Sequence, residues 1–415
     1  MSYVNLSLVS VPRWNVSRMV AEAPIYLDYQ ASTPVDPRVA CAVASAMRSD
    51  FGNPHSEAHV EGWRARELVE AAREVIARAI GAAEHEVIFT SGATEADNIG
   101  VLGAALGAPE ERRRILVGAF EHKAVLEAAR AAKRFGFSVE TVRITPRGII
   151  DLHDLSGRLG PDVAVVSVMA VNNEIGTIQP VDEVATISAA AGAFVHTDAT
   201  QAPSAMDVDV SAWGVDAASF SSHKIYGPKG VGALFLSDVA PWRPSPLMFG
   251  GGQEQGLRPG TLPTPLCIGL AKAFEILEKE GRAERARVAK LRDEFAARIS
   301  AKAPHVMVTS FGSPKHPGNL HLRFPGVEAE DLLAQLQPNV CASSGSACTS
   351  GVIEPSHVLA ALGWDHEATR EGIRFSIGRF TTEAELREAS RLILSAADTI
   401  MHRAAYSDRR DAQPA

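Results

Sequence analysis

Cysteine is scarce in this chain: four occur among 415 residues, Cys41, Cys267, Cys341 and Cys348. None sits in a CxxC pair, which argues against a structural zinc site, and no metal is expected. Four cysteines in so long a chain do not look like a disulfide framework, so a reducing, cytoplasmic setting is the expectation. No apolar run approaches the ~20 residues that a membrane-spanning helix needs. Basic residues are in deficit, 41 Lys and Arg against 49 Asp and Glu, for a net charge of −8. That argues against direct, charge-driven binding to nucleic acid or to an anionic membrane. The first 24 residues lack an acid before Glu22 and carry Arg13, Arg18 and several serines. They weakly resemble an organelle transit peptide. No long amphipathic, arginine-rich pattern develops, so a poorly ordered extension over 1–24, or a true start at Met19, is the favoured reading.

The hydrophobic fraction of 46% and the charged fraction of 22% are ordinary for a globular protein. The length allows one large domain and a smaller one. From about residue 84 to 240, short β-rich runs alternate with alanine-rich helical stretches such as 124–132 and 184–191. The expected strands are Val87–Thr90, Ile115–Val117, Ser138–Ile144, Val163–Met169, Phe194–Asp198, Ala217–Ser221 and Gly232–Leu236. This alternation predicts an α/β domain with a mainly parallel sheet covered on both faces. Residues 59–80 read as one amphipathic helix with Trp63, Leu68, Val69 and Ile76 inward and Gly81 as its stop. A long helix over about 266–301 leads into short strands at 305–310 and 319–324 and helices near 329–336 and 383–397. The predicted division is a large domain over 36–265 and a smaller α+β domain made of 25–35 and 266–415. The glycine-rich run 250–256 reads as a flexible connector, and Cys41 and Cys267 read as packing residues.

Three strand ends carry chemistry. Thr90-Ser91-Gly92-Ala93-Thr94-Glu95 follows a strand and opens a helix, where free N–H groups and the helix dipole attract a phosphate. Asp198 ends an apolar strand, where α/β folds place ligand-binding groups. Its carboxylate can pair with a protonated ring nitrogen, and Gln201 can donate to a phenolic oxygen; capping of the following helix is the plainer alternative. In Ser221-Ser222-His223-Lys224, the serine and histidine suit phosphate oxygens and the lysine suits an aldehyde carbon. Together the three junctions match the phosphate, ring nitrogen and aldehyde of pyridoxal 5′-phosphate.

Beyond these, the chain contains Tyr26-Leu27-Asp28-Tyr29, Phe51-Gly52-Asn53-Pro54-His55-Ser56, Glu121-His122-Lys123, Asn172-Asn173-Glu174-Ile175-Gly176 and Arg374-Phe375-Ser376-Ile377-Gly378-Arg379-Phe380. On these motifs, over roughly residues 25–390, it resembles the group I cysteine desulfurases of the NifS and IscS kind. That resemblance implies the fold-type I pyridoxal-phosphate transferase fold: a large domain with a mainly parallel seven-stranded sheet, plus a smaller α+β domain. It further implies Lys224 as the Schiff-base lysine, His122 as the histidine that stacks on the ring, Asp198 and Gln201 as ring partners, and Ala93, Thr94, Ser221 and His223 as cofactor-binding residues. Thr261 matches a phosphate ligand that crosses from a neighbouring subunit, which implies a homodimer with shared active sites. Asn173 and Arg374 match the groups that hold the substrate carboxylate, as an arginine fork does with two parallel N–H bonds.

The run Ser343-Ser344-Gly345-Ser346-Ala347-Cys348-Thr349-Ser350-Gly351 holds one thiol among small residues with no bulky anchor. Such a loop is expected to move, which suits a nucleophile that must reach into a pocket and then deliver outside it. Cys341 reads as a strand end. The expected reaction converts L-cysteine to L-alanine, with the sulfur left as a persulfide on Cys348 and passed to an acceptor protein for iron–sulfur clusters, tRNA thiolation or DNA phosphorothioation. Selenocysteine lysis or aminotransfer is the alternative on the same fold. Three departures from the family pattern stand out. Ser222 replaces a frequent glycine, Pro259 replaces a usual serine before Gly260-Thr261, and the sequence up to Ala415 has no tryptophan-bearing tail. The last of these turns the reading toward the Dnd type.

Overall fold

The computed structural model describes residues 23–344 and 356–411. Twelve strands occur among them, in chain order β1 (Ile25–Tyr26), β2 (Val87–Thr90), β3 (Arg114–Gly118), β4 (Ser138–Val142), β5 (Val163–Ser167), β6 (Phe194–Asp198), β7 (Ala217–Ser221), β8 (Gly232–Leu236), β9 (Met307–Val308), β10 (Asn319–Arg323), β11 (Val340–Cys341) and β12 (Gly372–Ser376). Seven form one sheet in the order β2-β8-β7-β6-β5-β3-β4. In that sheet β8 runs against both β2 and β7, and the other pairings are parallel. So β2 to β7 all point their carboxyl ends toward the same edge.

Alternation along the strands explains why both faces are covered. Val87 and Phe89 pack on one face with Ala218, Phe220, Ala233 and Phe235, beneath the helices Val60–Ile80 and Thr264–Lys302. Ile88, Ala217, Leu234 and Leu236 pack on the other, beneath the helix Lys123–Ala132 and the helical run that starts at Ala93. A separate apolar core gathers Leu27, Phe295, Leu322, Phe375 and Ile393 around the small antiparallel sheet β12-β10-β9. The helix Thr264–Lys302 serves both bodies: Cys267, Leu270 and Phe274 lie in the first core, and Val288, Phe295 and Ile299 in the second. β1 pairs in parallel with β11, and Leu27 just after it lies in this second core. No helix among the described residues is long and apolar enough to cross a membrane.

Several local expectations change. Trp63 is 53% exposed, its indole N–H donating to the Glu57 carbonyl at 2.7 Å, because the inward stripe of that helix runs through Ala65, Val69, Ala72, Ile76 and Ile80. Leu68 is half-buried. Gly81 does end the helix, in a left-handed conformation with φ of 73°. Cys41 lies on the exposed side of the helix Pro37–Ser49, whose buried residues are Val39 and Ala46. Cys267 is buried, and Cys341 is half-buried at the end of β11. The strand expected over 305–310 shrinks to Met307–Val308, with Ser310 in a left-handed turn (φ 52°).

The connector 250–256 is pinned rather than loose. Glu254 is buried, and its two oxygens accept from Arg73 at 2.8 and 2.9 Å and from the Phe89 amide at 2.6 Å. Removing one partner of a buried ion pair strands the other charge. Glu254→Gln is therefore expected to cost about 3 kcal/mol of stability, whereas Arg130→Ala, which breaks an exposed pair with Glu127, should cost under about 0.5 kcal/mol. Thermal and urea unfolding of the two variants checks this. Equal small losses would contradict it.

Candidate active site

The carboxyl edge of the sheet opens into a cavity of about 380 Å³. At one end, Ser91, Gly92, Ala93 and Thr94 leave β2 and begin a helical run, with Gly92 at φ 152° so that the turn presents its backbone to the cavity. Ser221 and His223, from the end of β7, line the same end. Burial, then the nearby Lys224 charge, lowers the His223 imidazole to about 4, so it is neutral at neutral pH. Backbone N–H groups, three hydroxyls (Ser91, Thr94 and Ser221) and a neutral imidazole form a donor set suited to a phosphate. Ser222 starts a short 3₁₀ turn with ordinary backbone, so a side chain is tolerated where glycine is frequent.

Asp198 projects from the end of β6, nearly buried, with one oxygen accepting from the Thr200 amide at 2.9 Å. The helix that follows begins beyond it, at Ala202, with Gln201 as its cap. Asp198, Asp97 and His122 bring ligand-type atoms within 4.8 Å of one another. Asp97, fully buried, was missed by the sequence reading. Burial and the Asp198 charge hold its carboxyl well above the usual range. Behind it His196 bridges Ser167 (2.8 Å) and Ser219 (2.9 Å), and burial lowers it to about 4. Two carboxyls this close cannot both ionise readily, and the upward shift of the fully buried Asp97 favours its neutral form. The Thr200 hydroxyl is also buried at this wall without a hydrogen-bond partner among the described residues, as expected for a cradle built to hold a polar ring.

His122 caps the helix Lys123–Ala132, its Nδ1 accepting from the Ala124 amide at 3.1 Å. Burial lowers its pKa. The ring is therefore neutral with its proton on Nε2. Lys224 lines the cavity and its Nζ donates to the carbonyls of Gln30 (2.6 Å) and Ala31 (2.9 Å), where the chain start folds over the sheet edge. Gln201 lines the cavity too, and its amide also donates to the Gln30 carbonyl at 2.9 Å. These groups fit a phosphorylated pyridine aldehyde: phosphate donors at one end, a carboxylate at the ring's far side, and an amine between.

Asn173 lines the cavity, whereas Arg374 does not. Arg374 is buried beside it, donating to the Asn173 carbonyl at 2.7 Å and to Asp28 at 2.5 Å. Thr261 is exposed and outside the lining. Cys348 lies outside the described residues. The flanks of its segment are placed: Ser343 exchanges backbone hydrogen bonds with Arg374, and Ser356 bonds the buried Glu174. Asp97 gave no signal in sequence beyond its nearness to the phosphate turn. Glu174 sat in a motif without a role.

With this geometry in hand, the comparisons with known proteins agree. The family model described as aminotransferase class-V matches residues 25–388. A curated cysteine desulfurase, IscS of Rickettsia peacockii, is 44% identical over 91% of this chain and 92% of its own. Among solved structures, a NifS-like protein superposes with a TM-score of 0.82 at 33% identity, covering 91% of this chain and all of that one. The crystal structure of DndA from Streptomyces lividans gives 0.70 at 40% identity, covering 83% and 97%.

Burial raises the Glu174 carboxyl from 4.5 to about 7. A raised folded-state pKa means stability that is fully present below pH 4.5 and is lost as pH climbs toward 7, on the order of 3 kcal/mol. Glu174→Gln should remove that fall, so its unfolding temperature should gain on the parent's across this window. Parallel curves would contradict the assignment.

Proposed function

The chain belongs to the aminotransferase class-V family, and on that footing we propose how its cavity works as a cysteine desulfurase, with Lys224, His122 and Cys348 as the acting groups. The overall activity is that of a pyridoxal-phosphate enzyme: L-cysteine is the substrate, and sulfur goes on to an acceptor protein. What most supports the assignment of roles is the meeting of the 91–94 turn, Asp198 and Lys224 around one cavity.

Once bound, pyridoxal phosphate supplies an aldehyde that exchanges amines and a ring that stores the electron pair left on the substrate's Cα. Ala93, Thr94, Ser221 and His223 would hold its phosphate end, Asp198 the ring nitrogen and Gln201 the phenolic oxygen. Lys224 Nζ would carry the cofactor and, as a free amine, would take the substrate's Cα proton. His122 would stack as a neutral ring that offers a hydrogen bond from its Nε2–H, and the ammonium formed on Lys224 would return its proton as the product forms. Asn173 and Arg374 fix the substrate carboxylate. Cys348, as a thiolate, attacks the substrate sulfur. The carbon–sulfur bond breaks, L-alanine leaves after protonation, and the sulfur remains as a persulfide on Cys348.

The same reading divides the chain into a cofactor-binding domain over 36–265 and a smaller one from 25–35 and 266–415, supported by the separate core around Leu27 and Phe375. It also makes the enzyme a homodimer, with Thr261 donated to the partner's phosphate site. Exposed Thr261, and exposed Met248 and Phe249 in the segment leading to it, support that arrangement. Light scattering should give twice the 44.1 kDa chain mass, and a monomer would refute shared sites. The acceptor is read as one serving iron–sulfur assembly, tRNA thiolation or DNA phosphorothioation.

The decisive variant is Cys348→Ala. Given L-cysteine, it should keep the cofactor's visible absorption, show no added sulfur by intact mass, and make alanine about a thousandfold more slowly. Alanine and sulfide formed at the parent's rate under reductant would refute the thiol's role.

A further inference from the structure

One short segment, residues 28–32, engages two cations at once: Lys224, which lines the cavity, and Arg374, which is buried behind Asn173 at its wall. Its carbonyls at Gln30 and Ala31 accept from Lys224 Nζ, and its Asp28 carboxylate accepts from Arg374 at 2.5 Å. The segment is braced. The Ala31 and Ser32 amides donate to the Asp28 carbonyl, and the Tyr26 hydroxyl donates to the carbonyls of Asp28 (3.1 Å) and Ser32 (2.7 Å). The carboxylate is therefore presented by a fixed turn.

The arginine is only partly used. Its Nη1 donates to the Asn173 carbonyl and its Nη2 to one Asp28 oxygen, while Nε is buried without an acceptor among the described residues. Its side chain is 4% exposed and that of Asp28 20%. A guanidinium this buried needs a counter-charge at all times, because an uncompensated buried ion is costly. Asp28 supplies that charge through a single hydrogen bond. A free carboxylate can take two parallel N–H bonds from the same fork and is the better partner.

We propose that Asp28 is a resident carboxylate that stands in for the substrate's own at Arg374, and so sets how tightly an amino acid binds. The proposal rests on Arg374 as the carboxylate-holding group of the function read above. Exchange of one carboxylate for another keeps the buried charge balanced throughout. It also makes binding competitive, since the affinity measured for substrate is lowered by the fraction of arginine that Asp28 occupies. A ligand with an amine but no carboxylate leaves the Asp28–Arg374 pair untouched, so the exchange selects for amino acids.

The test titrates the visible cofactor band of the holoenzyme with two probes: L-alanine, which carries the carboxylate, and ethylamine, which lacks it. Asp28→Asn keeps the shape and an acceptor oxygen but removes the charge. It is expected to bind L-alanine about tenfold more tightly, to leave ethylamine unchanged, and to lower KM for L-cysteine by more than it alters kcat. Asp28→Ser should shift in the same direction and serves if the asparagine variant does not fold. Arg374→Gln should weaken L-alanine but not ethylamine, and adding Asp28→Asn to it should change nothing further. L-alanine binding that is unchanged or weaker in both Asp28 variants, with Arg374→Gln still impaired, would overturn the proposal alone and leave Asp28 as a group that orients the arginine. L-alanine binding unaffected by Arg374→Gln would overturn the reading of Arg374, and the proposal with it.

Discussion

The site depends on where the Lys224 amine is held. The residue leaves the end of β7, and its Nζ is fixed by the carbonyls of Gln30 and Ala31, which arrive from the start of the chain. That contact joins segments almost two hundred residues apart and places Ala31 in the cavity wall. Parallel strands make it possible. With β2 to β7 all ending at one edge, the 91–94 turn, Asp198 and Lys224 are delivered to the same place by separate strands. Arg374 then reaches that edge by donating to the Asn173 carbonyl, with Asp28 as its ion-pair partner.

Burial sets the protonation states around this amine. His122 and His223 are pushed toward neutrality, and Asp97 is held protonated beside Asp198. The result is a cavity whose lining brings Asp198 and Lys224 together with imidazoles shifted toward neutrality. Charge that must persist in the low-dielectric region is paired, as in Arg374 with Asp28 and Arg73 with Glu254.

Much of this was legible in the sequence because the signals were local. All seven strands of the main sheet were readable from short apolar runs bounded by turns. The residues Ala93, Thr94, His122, Asn173, Asp198, Gln201, Ser221, His223 and Lys224 all line one cavity. What was not legible depends on long-range packing. Trp63 and Cys41 looked inward because they are apolar, but their helices turn other faces to the core. The glycine-rich connector looked loose because composition says nothing about Glu254 reaching Arg73. Asp97 and the Asp28–Arg374 pair were invisible for the same reason, since each matters through a partner from another element. Cys348, the residue the sequence singled out most sharply, lies outside the described residues.

The most direct measurement is to reduce the holoenzyme with borohydride, digest it, and find by mass spectrometry which lysine carries the cofactor. Lys229 lines the same cavity, so the choice is a real one. The cofactor mass is expected on Lys224 alone. Label on Lys229 or any other lysine, or no label at all, would contradict the placement on which the site is built.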